Sequence, residues 1–343
     1  KESAEFFVTM PRPEQGDWGE DLARRTTAPS DHAPRVCLLD TGVNRGHMLL
    51  APALAVSDLH TYSSAWGTHD DYPHGTGMAG LALYGDLTDA LAGRGPVVLA
   101  HRLESSKILS RRVPNPPDLY GTITEAGVAR PEINVPSRRR VFCMAVTSRD
   151  GRDHGQPSSW SAAVDQLCAN VEDPAGGRLM VLSAGNGDPQ TPSAYPADNL
   201  TDEVHDPAQA WNALTVGAFT EKSRITEPAY ARWRPLAPPG DLCPSSTTSL
   251  TWESKWPYKP ELVLEGGNLA VDPNGTRLAA LDSLRLLTTH HQPLQALLDT
   301  FGDTSGAAAL LARAAAQVWA QCPDLWPEIV RALLVHSADW TQA

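Results

Sequence analysis

Cysteine is scarce and poorly placed for pairing. The 343 residues hold five, Cys37, Cys143, Cys168, Cys243 and Cys322. The number is odd and no C-x-x-C spacing occurs, which excludes a disulfide-framed fold and offers no zinc pattern. Cys37 and Cys143 lie in apolar runs and read as buried thiols, a usage that fits a reducing compartment. Long apolar runs are missing too. No stretch approaches the roughly 18 apolar residues that a membrane helix needs. Positive charge is also short, with 28 Lys and Arg against 40 Asp and Glu, a net charge of −12. Such a surface repels phosphates, so no nucleic-acid partner is expected. The one basic run, Arg138 to Arg140, reads as a solvated strand entrance. The start, "KESAEFFVTMPRPEQGDWGEDLARR", lacks a basic segment followed by an apolar core. The expectation is therefore a cytoplasmic chain, or a secreted one if a leader or pro-segment was trimmed. No internal repeat or low-complexity tract stands out.

What is present is a series of short, near-continuous apolar runs ending in Asp, Gly or Ser. They are "RVCLLDTG" (35–42), "VVLAHRL" (97–103), "RVFCMAV" (140–146), "RLMVLSAGN" (178–186) and "ALTVGAF" (213–219). Strands buried on both faces of a parallel sheet read this way. Helical stretches alternate with them: 74–85, 157–171, the Ala-rich 305–322, and 327–338, which opens on Pro. This predicts an α/β fold, a mostly parallel sheet with helices on both faces. The expected organisation is an N-terminal extension over 1–34 and one domain over 35–343. Its loop-rich insertion falls around 220–300, which reads as loops and short strands packed on the main body. Ligands in such sheets sit beyond the carboxyl ends of the strands, where Asp40, Ala145 and Asn186 fall.

The stretch "FGDTSGAAALLAR" (301–313) sets Ser305 among small residues before a helix. Alone, it reads as a helix cap. A serine hydroxyl becomes a nucleophile only beside a base, and the base needs an orienting acid. His74 opens "HGTGMAGLAL", where Gly75, Gly77 and Gly80 leave room for close packing. It could equally cap a helix or belong to a metal cluster "HDDYPH" (69–74), which no further ligand spacing supports. Asp40 ends a buried strand, placed to cap a turn or to hold an imidazole. Asn186 ends another, as a turn residue or as an amide donor to a developing oxyanion.

Taken together, Asp40, His74, Asn186 and Ser305 resemble the subtilisin-like serine proteases, in their chain order of Asp, His and Ser. "LLDTGV" looks like that family's aspartate segment, "HGTGMAG" like its H-G-T-x-x-A-G, "SAGN" like its oxyanion asparagine segment, and "GDTSGAAALLA" like its G-T-S-x-A-x-P. Weaker echoes are "CMAV" (143–146), "AYPA" (194–197), "ALTVGA" (213–218), "KPELVLEGG" (259–267) and the closing "WPEIVRALLVHSA". The resemblance covers about residues 35 to 340. Departures are Asp303 where the family usually has Gly, Gly306 for a larger residue, and Ala309 for Pro.

The resemblance implies a serine endopeptidase of the subtilisin-like fold. Ser305 would be the nucleophile, His74 the base and Asp40 its orienter. The Asn186 amide and the Ser305 N–H would form the oxyanion hole, helped by a helix starting at 305. A protein or peptide substrate would add a strand along Met144, Ala145, Val146 and Thr147. The residue before the scissile bond would sit between Ala145–Thr147 and Ser183, Ala184 and Gly185. No cofactor is implied, and no acidic loop calls for the calcium that often stabilises the family. "KWPYKPELVLEGGN" has the flavour of family branches that work with a regulatory protein partner such as an ATPase. Two rivals stay open: a non-catalytic relative serving as a protein-binding scaffold, and a serine hydrolase of another fold, against which the missing G-x-S-x-G elbow speaks.

Overall fold

The computed structural model describes residues 2–148, 154–169 and 176–339. Its centre is a seven-stranded, wholly parallel sheet. In chain order the strands are β1 (Arg35–Asp40), β2 (Leu59–Thr61), β3 (Arg102–Lys107), β4 (Arg140–Met144), β5 (Leu179–Ser183), β6 (Leu214–Phe219) and β7 (Leu262–Glu265). Across the sheet they run β7-β6-β5-β4-β1-β3-β2. The chain therefore steps to one side of β1, returns beside it, and then proceeds outward on the other. The order reverses between β1 and β4, which makes a crevice at their carboxyl ends.

The apolar runs are continuous because both faces are covered. Val36 and Leu38 of β1 join one core cluster, and Cys37 and Leu39 join the other. The same alternation holds in β4, where Val141 and Cys143 face one way, and Phe142 and Met144 the other. The first face carries α3 (Gly75–Tyr84) and α8 (Asp303–Gln321); the second carries α5 (Tyr120–Asn134) and α6 (Ser159–Ala169); two short helices, α4 (Leu87–Ala92) and α7 (Ala197–Thr201), fall between them in the chain. In α8, Ala307, Ala308, Ala309, Ala312, Ala315 and Ala316 are fully buried. Alanine keeps the backbone within reach of the sheet and adds good helix propensity. The closing helix, α9 (Pro327–His336), buries Val330 and Leu334 in the same core as α8. The final two residues of the stretch 157–171 lie outside the described residues.

Several sequence expectations need correcting. The run 97–103 does not form one strand: Val97–Val98 pairs with Thr26–Thr27, and β3 begins at Arg102. β3 reads RLESSK yet is buried from Leu103 to Lys107, so a search for apolar runs passes over it. Its charges are internally paired. Glu104 receives Arg140 at 2.6 Å and Arg138 at 2.8 Å, Arg138 also reaches Asp58 at 2.6 Å, and Lys107 meets Asp71 at 3.0 Å. Arg138 and Arg140 are thus counter-ions of buried carboxylates, not a solvated entrance; only Arg139 is exposed. A buried charge without such partners would be far costlier.

Residues before 35 form α1 (Ala4–Val8) and α2 (Arg12–Arg25), with Phe7 and Leu22 fully buried in the main core. Buried Gln15 holds them in place. Its amide donates to the carbonyls of Val8 and Met10, and its oxygen accepts from the N–H groups of Leu297 and Leu298. The region 220–300 also does more than pack on the outside. It supplies the edge strand β7, and an antiparallel hairpin, β8 (Leu286–Thr289) with β9 (Leu298–Phe301), that leads directly into α8.

Candidate active site

Five elements end at one edge. Because the sheet is parallel, the carboxyl ends of β1, β4 and β5 lie together, presenting Asp40, the segment 145–147 and Asn186. α3 brings His74 as its N-cap residue, and α8 brings Ser305 in its first turn. The two helices pack on each other through buried side chains. The β8–β9 hairpin, which leads into α8, is tied to α3: the Thr288 hydroxyl donates to the Gly77 carbonyl at 2.5 Å and Thr289 to Thr76 at 2.7 Å. Gly75 is required by proximity, since a Cβ there would stand 2.1 Å from the Gly42 carbonyl oxygen.

Three side chains remote in sequence meet at this edge. His74 Nδ1 lies 2.9 Å from both carboxylate oxygens of Asp40, and His74 Nε2 lies 3.2 Å from Ser305 Oγ. Asp40 is buried and also accepts the Thr41 N–H at 2.7 Å, so the carboxylate is oriented before the imidazole reaches it. Thr41 Oγ1 lies 3.0 Å from Asp40 Oδ1 and 2.8 Å from Asp70 Oδ1, and accepts the Gly75 N–H at 3.0 Å. Asp70 in turn accepts the Thr76 N–H at 2.8 Å. Thr41 and Asp70 thus fix the start of α3, and with it the His74 ring. Phe301 packs edge-on against that ring with centroids 5.2 Å apart.

Burial pulls the pKa of His74 down, but the charge and hydrogen bond of Asp40 outweigh it. Asp70 and Asp303 add to the effect, and the ring ends above its usual 6.5. Burial drives the pKa of the Asp70 carboxyl upward, more than its bonds from Thr76 and Thr41 lower it.

Ser305 is buried at 6% exposure, and α8 begins two residues earlier than expected, at Asp303. The Asp303 N–H goes to the Gly266 carbonyl, the Thr304 N–H to Asn186 Oδ1 at 3.1 Å, and the Gly306 N–H to Gly302. Among the described residues the Ser305 N–H has no acceptor, at the positive end of the helix dipole. The Thr304 hydroxyl also donates to Asn186 Oδ1, at 2.7 Å. Two donors on one atom identify it as the amide oxygen, so the Asn186 NH₂ group faces away from Thr304.

Asp303 adopts a left-handed backbone, φ 59, rare outside glycine but best tolerated by Asp and Asn. Its carboxylate accepts from the Ser245 hydroxyl at 2.6 Å and lies 3.3 Å from Arg285. The ion pair is partly exposed and contributes little; the Ser245 bond and the backbone fit matter more. Asp303→Ala is expected to lower unfolding free energy by about 1–2 kcal/mol, whereas Asp303→Asn keeps both features and stays near wild type. Urea unfolding of the two variants measures this.

Of the expected cleft residues, Ala145, Val146 and Thr147 emerge half-buried beyond the sheet ladder. Met144, Ser183 and Ala184 are all buried, and the side chains of Met144 and Ala184 face the second core cluster. Of residues 69–74, Asp70 and Asp71 are bonded as described, and no group of three or more His, Cys, Asp or Glu able to hold a metal occurs among the described residues. Sequence reasoning missed Thr41 and Asp70 as supports of His74. The position of Thr41 beside Asp40 was the available signal.

A parallel α/β sheet with Ser, His and Asp hydrogen-bonded in series at its carboxyl edge is the arrangement of a serine hydrolase. The subtilase family model matches residues 31–343, and the chain belongs to the subtilase family. It is 29% identical over 226 residues to a protein of Sinorhizobium fredii named y4bN, a match over 61% of this chain and 48% of that one. The match thus spans about half the length of that relative. Among solved structures it is similar to Sphericase, with 20% identity, 91% of this chain, 84% of that one and a TM-score of 0.59. It is also similar to an epidermin leader peptide processing serine protease of Staphylococcus aureus. There the identity is 14%, with 93% and 74% covered and a TM-score of 0.57. At such identities these likenesses show the fold. Among the described residues no helix is long and apolar enough to cross a membrane.

Proposed function

We propose that this subtilase is an active serine endopeptidase using Asp40, His74 and Ser305. The observation that carries the reading is the unbroken contact series from the Asp40 carboxylate through both ring nitrogens of His74 to the Ser305 hydroxyl, at 2.9 and 3.2 Å. Ser305 Oγ attacks the scissile carbonyl while His74 Nε2 takes its proton. Asp40 holds the other nitrogen protonated and stabilises the imidazolium. The ring then protonates the leaving amine, and water repeats the sequence on the acyl-enzyme.

The negative oxygen of the tetrahedral intermediate is held by the Ser305 N–H and the Asn186 amide. Asn186→Ala is expected to lower kcat roughly 10²–10³-fold with KM little changed. Asn186→Asp keeps the acceptor for Thr304 but lacks the amide donor, and should not restore the rate. Steady-state kinetics of the pair separates oxyanion stabilisation from support of Thr304.

The rival reading is a scaffold that retains the fold without turnover. A fluorophosphonate probe distinguishes them. Labelling of wild type at Ser305, absent in Ser305→Ala, supports the peptidase; no Ser305-dependent labelling favours the scaffold. A regulatory protein partner such as an ATPase belongs to this proposal only if the isolated chain is sluggish on denatured protein. High activity of the chain alone would remove the need for one.

A further inference from the structure

The segments leaving β4 and β5, residues 145–147 and 184–186, bound a slot, and the side chain of His205 stands in it. The His205 N–H donates to the Ala184 carbonyl at 2.9 Å, and the Ser148 N–H donates to the Asp206 carbonyl at 2.8 Å. Residues 205–206 thus bridge the two segments. The ring of His205 stands between them. Its Nδ1 lies 3.3 Å from Thr147 Oγ1 on one side. On the other it stands against Gly185, so closely that a Cβ there would be 2.3 Å from His205 Cγ. Gly185 has φ +99, and no other residue would both take that backbone and admit the ring.

A peptide whose carbonyl sits between Asn186 and Ser305 directs the preceding side chain into the nearest opening, which is this slot. We propose that His205 is the specificity-determining residue of the site: its imidazole fills the base of the slot and restricts the residue before the scissile bond to small side chains such as Ala, Ser or Gly. The inference rests on the peptidase reading above. Its physical basis is steric. An aromatic or long side chain must displace a ring held by packing on Gly185, by contact with Thr147 and by a backbone bond at its own residue. Rejecting even a few excess carbons in a closed pocket is worth roughly tenfold or more in kcat/KM.

The test uses the intact chain and two peptidyl diphenyl phosphonates that differ only in the residue before the phosphorus, Ala or Phe, with a Lys analogue as a third. A generic fluorophosphonate serves as the control for a reactive Ser305. Wild type should react with the Ala reagent at least tenfold faster than with Phe or Lys. In His205→Gly and His205→Ala, the Phe-to-Ala ratio of rates should rise tenfold or more. The ratio is internal to each variant, so partial loss of folded protein does not move it. Equal or faster reaction of wild type with Phe or Lys overturns the proposal, as does an unchanged ratio in both variants. Failure of every reagent, the fluorophosphonate included, overturns the peptidase reading itself and this proposal with it.

Discussion

Ser305→Ala and His74→Ala are each expected to lower kcat roughly 10⁶-fold, a magnitude carried over from subtilisin, and the double variant to lose little more. The non-additivity is the informative part. With Oγ gone, His74 has no proton to accept. With the imidazole gone, the Ser305 hydroxyl keeps its proton and remains a weak nucleophile. Either change therefore abolishes the same step. What survives is the oxyanion hole and substrate binding, so a residual rate above background is expected in all three variants. Independent losses that multiplied in the double variant would contradict a single proton-transfer unit. KM should move little, because neither side chain forms the wall of the slot. Single-turnover kinetics with a peptide ester checks both quantities.

Asp40→Asn carries the second largest effect, a loss of roughly 10⁴ in kcat by the general behaviour of such triads. The geometry explains why an almost isosteric change is so damaging. Asp40 accepts from His74 Nδ1, which fixes the ring proton there and leaves Nε2 free to accept from Ser305. An asparagine amide presenting its NH₂ group would reverse the tautomer and put a proton on Nε2. The Thr41 N–H bond to the first side-chain oxygen would remain, so the fold should persist.

The pH profile should change with it. In wild type, kcat/KM should rise with pH as His74 loses its proton, with a midpoint above 6.5, because burial lowers the ring's pKa by less than the charge and hydrogen bond of Asp40 raise it. Removing the Asp40 charge should move the midpoint down. The stability linkage has the opposite sense from activity. A ring whose folded pKa is raised stabilises the fold fully below 6.5 and loses that contribution as pH climbs through the folded value. Asp40→Asn should flatten this part of the stability profile. An unchanged midpoint would show that Asp40 does not control the ring.

Legibility along the chain followed burial chemistry. β1, β4, β5 and β6 were readable because both of their faces are apolar, so that no period-2 alternation interrupts the run. β3 was not, because Glu104 and Lys107 are buried through partners at residues 138, 140 and 71. Nothing local announces an ion pair made with a residue more than 30 positions away. α2 was missed for a related reason: Gly16 and Gly19 weaken its propensity, and its packing on the core supplies what the sequence lacks. The strand β7 was seen only through its family echo, since its four half-buried residues do not stand out as an apolar run.

The residue types alone determined the fold class and the chemical alphabet of the site. Most of the buried strands are apolar runs, and a serine among small residues before a helix, a histidine in a glycine-rich segment and an aspartate at a strand end carry their chemistry wherever they fall. Only the tertiary structure decided that these groups touch. The 231-position separation of His74 and Ser305 closes to 3.2 Å because a parallel sheet gathers its carboxyl ends at one edge and the hairpin that leads into α8 is hydrogen-bonded to α3. It also decided that His205, unremarkable in the sequence, stands between Thr147 and Gly185. Contact between distant segments is a property of how the strands are ordered, and that order is a sum over the whole core that no short stretch contains.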